Sequence, residues 1–65
     1  MTKSAALAAV RYIESIKGDD EAAHSSEDEL RRMVLTHIAE GGRNVRELAR
    51  IALTTEDIEF ARWCA

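Results

Sequence analysis

Apolar residues recur every three or four positions along most of this chain, and that period admits helices and little else. Ala6, Ala9, Val10, Ile13 and Ile16 share one face of a helix expected over residues 4–17; Leu7 widens the face and Gly18 ends the helix. Leu30, Met33, Val34, His37 and Ile38 form a second stripe, on a helix expected over 27–40 and stopped by Gly41-Gly42. Val45, Leu48, Ala49 and Ala52, with Ile51 beside them, mark a third helix over 45–53. Ile58, Ala61 and either Phe60 or Trp63 mark a short fourth over 55–63. Proline is absent and no run of β-branched residues alternates with polar ones, so strands have no support. The expected fold is all-α: one domain, residues 1–65, built as a small bundle of three to four short helices.

The helix starts carry their own signals. Ser26-Glu27-Asp28-Glu29 reads as a capping box, with Ser26 as the cap and Glu29 reaching back, which leaves residues 18–25 as an acidic connection. Asn44, with Glu47 three residues later, caps the third helix, and Thr54 or Thr55 opens the fourth. Ala5, Ala6, Ala8 and Ala9 keep the first helix thin, so another backbone can approach closely.

That thinness bears on assembly. A chain of 65 residues buries only about 60% of its unfolded surface, and domains this small usually need a staple. The single cysteine, Cys64, excludes an internal disulfide, so a homodimer through the alanine face is expected. A lone cysteine without a secretion signal points to a reducing compartment, read as the cytoplasm. Lys3 and the apolar residues 4–10 are too short a stretch for an export signal, and none approaches the roughly 20 apolar residues that span a bilayer.

The net charge of −3 hides a segregation. Residues 1–17 sum to +2, 18–29 to −6, 30–53 to +3 and 54–65 to −2. An acidic belt therefore lies beside a basic middle.

Residues 30–63 resemble a helix-turn-helix unit in the C-terminal half, with the small Ala49 where two helices would cross. Two features depart from it. Leu53 stands about where the turn glycine is usual, and the helix that would enter the groove opens with Glu56, Asp57 and Glu59, which a polyanion repels. Only Arg62 on that helix could reach a phosphate. Arg31, Arg32, Arg43, Arg46 and Arg50 are the residues that would bind DNA, and nucleic acid is a disfavoured partner.

No constellation for chemistry is present. His24, His37 and Cys64 lack the paired short spacings of a zinc site, so no metal and no cofactor is expected. Asp19, Asp20 and Glu21 cluster in a segment without an evident pocket to raise a pKa. Gly41-Gly42 lacks the strand and lysine of a phosphate loop. The chain reads as non-catalytic, and its surface aromatics and arginines become the features of interest. Arg11, Tyr12, Phe60, Arg62 and Trp63 are the candidate contacts to a partner, with the acids Asp19, Asp20 and Glu21 beside them.

Two stretches carry a resemblance. His24-Ser25-Ser26-Glu27-Asp28-Glu29-Leu30, running on to His37-Ile38-Ala39-Glu40-Gly41, is one, and Leu53 to Ala65 is the other. Together, over residues 24–65, they resemble short uncharacterised proteins of proteobacterial temperate phages and prophages. The resemblance implies a protein that binds a host protein, such as a transcription regulator or a defence effector, and inhibits or modulates it. It carries no site residues across.

Overall fold

A computed structural model describes residues 1–62 and shows a small all-α bundle of three helices with no strand among the described residues. The helices are α1 (Lys3–Ser15), α2 (Asp20–Ala39) and α3 (Val45–Leu53), and a 3₁₀ turn at Thr54–Asp57 follows. Among the described residues no helix is long and apolar enough to cross a membrane.

Helix α1 begins at Thr2, whose hydroxyl accepts the Ala5 amide at 3.1 Å, and ends before Ile16, ahead of the expected boundary at 17. Lys17 lies past its last turn and pairs with Glu14 at 3.1 Å.

Helix α2 departs most from expectation. It starts at Asp20, so most of the supposed acidic connection 18–25 is helical. Asp19 caps it by accepting the Ala22 amide at 3.1 Å, and Asp20 and Glu21 place negative charge at the positive end of the helix dipole. Ser26 therefore lies inside the helix, where it cannot cap. Ala23, fully buried, supplies the packing that the extra turns need.

The α2 C-terminus follows the glycine pattern closely. Gly41, at φ +78°, donates to the Ile38 carbonyl at 3.0 Å, and Gly42 donates to that of His37 at 2.9 Å. This reciprocal pair is a Schellman motif, and only Gly41 needs the left-handed region. Asn44 precedes α3 in that region too, at φ +59°, and its side chain makes no capping hydrogen bond, contrary to expectation.

The core joins Ala6 and Ile13 of α1, Ala23, Leu30 and Val34 of α2, Leu48 and Ala52 of α3, and Ile58 beyond the turn. Ala6 is fully buried and Ala9 packs against the same core, so the thin face of α1 is used within the chain. The stripes are narrower than their periodicity suggests: Met33, Ile38 and Val45 are exposed.

The fourth helix expected over 55–63 is not formed within the described residues. After the 3₁₀ turn, residues 58–62 run without regular structure back along α2, where the Ala61 amide donates to Asp20 at 3.0 Å. Among the described residues the helix-turn-helix arrangement thus lacks the helix that would enter a groove.

With so few buried groups, each one matters. Leu48→Ala should lower the unfolding free energy by ~2–5 kcal/mol, close to the whole stability of a small domain. Leu35→Ala, at an exposed site, should change it by less than about 0.5 kcal/mol. Urea midpoints of the two variants give the comparison.

Candidate functional site

Glu27 has no solvent exposure at all, although it follows Ser26 in the segment where a first turn was expected. Helix α2 points it under the C-terminal segment, and Arg62 meets it there. Arg62 Nε donates to Oε1 at 2.9 Å and its terminal nitrogen to Oε2 at 3.0 Å, the parallel two-bond geometry that a guanidinium makes best. The same guanidinium donates to the carbonyls of Thr55 at 2.8 Å, Ile58 at 3.1 Å and Phe60 at 3.3 Å. It also lies 3.9 Å from the centre of the Phe60 ring, a cation–π contact. One side chain thus closes the 3₁₀ turn and the last segment onto α2.

Burial alone would push the Glu27 carboxyl up. The Arg62 hydrogen bonds, with help from Thr55 and from the charge of Arg31, outweigh it and hold the carboxyl below the ordinary glutamate range. Arg62 is raised in turn, first by its hydrogen bonds to Glu27.

This pairing reassigns several expected contact residues. Phe60, Arg62 and Asp20 come together, yet their interactions are internal: the first two form the clasp, and Asp20 holds the Ala61 amide. Asp19 is spent as a cap, and Glu21 is exposed. Arg11 and Tyr12 are exposed on α1, and no hydrogen bond or ion pair among the described residues joins either side chain to that cluster. Trp63 lies outside the described residues, as does Cys64.

The arginines divide as well. Arg32 is held by Glu29 three residues before it. Arg31 sits 3.7 Å from Glu27 and 3.8 Å from Glu56, beyond hydrogen-bond distance of both. Arg43, Arg46 and Arg50 are exposed and form no ion pair among the described residues.

What sequence reasoning missed is a groove between α2 and α3, of about 260 Å³, lined by Arg31, Val34, Leu35, Ile38, Ala49, Ala52 and Leu53. Leu35 is 65% exposed and Leu53 54%, and Ile38 stands at 39%. Leu35 and Leu53 lie off the buried stripes of their helices, which was the available signal. A smaller hollow between α1 and α2 involves Tyr12 and Met33. Among the described residues no group of three or more His, Cys, Asp or Glu is placed to hold a metal ion.

The clasp sets a pH dependence whose direction follows from the lowered Glu27 pKa. Its stabilisation is complete above the ordinary glutamate pKa of about 4.3 and is lost as the pH falls through the lower folded value. Arg62→Ala should cost about 3 kcal/mol at neutral pH, the low end for a broken buried pair because Arg62 is one-third exposed. That variant leaves a buried carboxylate without its main partner, so its stability should rise as the pH falls from 7 towards 4, where the clasp of the parent contributes a nearly constant amount. Denaturant unfolding from pH 7 to below 4 reads the rise in the variant and the later loss in the parent.

No protein-family model, curated protein or solved structure matches this chain.

Proposed function

We propose that this chain is a non-catalytic module that binds another protein, and that the α2–α3 groove is its working surface. The observation that carries the reading is the cluster of Leu35, Ile38 and Leu53 around one concave site. Nothing in the fold requires these side chains to stand exposed, and contiguous apolar surface of this kind marks interaction sites. The resemblance of residues 24–65 to short phage and prophage proteins supports a host regulator or defence effector as the partner, bound and blocked in the cytoplasm. A homodimer through the alanine face has less support, because that face is already used in the core.

A second reading, direct binding to DNA, is favoured by the exposed Arg43, Arg46 and Arg50, which form no ion pair among the described residues. Electrophoretic mobility shift tests it: three phosphate contacts would give a log–log salt slope of about −3, and no shift at low salt removes it.

The leading reading predicts a groove-dependent capture. The tagged chain and its Leu35→Asp variant should have the same circular dichroism, because the site is exposed. From a proteobacterial host lysate the parent should retain a protein that the variant retains at least tenfold less. Equal recovery by both ends the reading.

A further inference from the structure

The geometry points to the occupant of the α2–α3 groove: one amphipathic helix of a partner protein, with an apolar stripe flanked by carboxylates, one of them received by Arg31. This rests on the protein-binding reading and supplies the chemistry of the ligand.

The floor of the groove is small and its edges are large. Ala49 and Ala52 leave the centre open, while Leu35 and Leu53 stand up on either side, so a ridge of apolar side chains from a partner's helix can lie between them. Within this apolar lining the exception is Arg31. Inside the molecule it has only loose ion pairs: Glu27, at 3.7 Å, gives both oxygens to Arg62, and the exposed Glu56 stands 3.8 Å away. The Arg31 side chain makes no hydrogen bond among the described residues, and its buried Nε has no acceptor. Its side chain is 38% exposed, which leaves the terminal nitrogens open to a carboxylate arriving from outside.

The edge of α3 agrees in sign. Arg46, Arg50 and Leu53 follow the i, i+4, i+7 spacing of one helix face. Two arginines without an ion pair among the described residues therefore run beside the exposed leucine, and a partner helix with acids outside its apolar stripe meets both at once.

Other occupants fit less well. A DNA backbone would meet the arginines but leave Leu35 and Leu53 against hydrated phosphates. A second copy seated face to face would oppose the same arginine edges. Nor does α1 offer an acidic flank for the groove, since its exposed Leu7 lies between Lys3 and Arg11 at helical spacing.

The test titrates the ¹⁵N-labelled full chain with two synthetic helical peptides that share one leucine stripe, flanked either by Glu or by Lys. The Glu peptide should move amide resonances of residues 31–38 and 45–53 and bind at least tenfold more tightly than the Lys peptide. That gap should narrow at high salt. Arg46→Glu with Arg50→Glu should reverse the preference, and Leu35→Asp should abolish both interactions. Equal affinity of the two peptides at the groove overturns the acidic occupant and leaves the protein-binding reading standing. Shifts confined to another face, or no binding by either peptide together with capture that is indifferent to Leu35→Asp, overturn both. Binding of a DNA duplex that responds to the arginine reversals but not to Leu35→Asp does the same.

Discussion

The conformation of the C-terminal third depends on a carboxylate that cannot stay buried alone. Placing an ionised Glu27 out of water costs several kcal/mol unless its charge and both oxygens are answered. Arg62 answers both oxygens at once, from 35 residues away in sequence. In doing so it also donates to the carbonyls of Thr55, which accepts the Ile58 amide as well, and of Ile58. The path of residues 58–62 is therefore held by this polar tie as well as by the burial of Ile58. For a chain with so few large buried residues, that long-range tie joins its last segment to its longest helix.

The groove follows from this path. Had residues 55–63 continued as a helix, their apolar positions would have been available to pack across the bundle. The clasp instead draws the chain back along α2 towards Asp20, where the Ala61 amide is held. Within the described residues nothing then crosses Leu35, Ile38 and Leu53. The same interaction that closes one side of the molecule leaves another uncovered, and a surface shaped this way is a consequence of the fold as much as an addition to it.

The sequence disclosed the helices through period and glycine, because both act locally. Ile13, Leu30, Val34 and Leu48 are buried as their spacing implies, and Gly41-Gly42 stops α2 through bonds within six residues. Where two local signals competed, the choice was wrong: Ser26-x-x-Glu29 is a sound capping box, but Asp19 with Ala22 and Ala23 starts the helix earlier and buries Ala23. The clasp was illegible for a different reason. Glu27 looks like one acid among six in a solvated belt, and its burial depends on tertiary placement that no periodicity records. Arg62 likewise looks like a surface contact, because its partner lies on another element.

Charge gives the last step from fold to surface. The chain is net acidic, which suggests a poor match for an anionic partner. Yet many of its acids are engaged inside the molecule: Glu27 in the clasp, Asp19 and Asp20 at backbone amides, Glu29 on Arg32, Glu47 on Lys3. Among the described residues Arg43, Arg46 and Arg50 have no such claim on them, and Arg31 only loose ones, at 3.7 Å from Glu27 and 3.8 Å from Glu56. Glu56 apart, the charges still available around the α2–α3 groove are thus of the sign opposite to the total. Recognition senses the field within about a Debye length, near 8–10 Å, so the local arginines outweigh the sum over the chain.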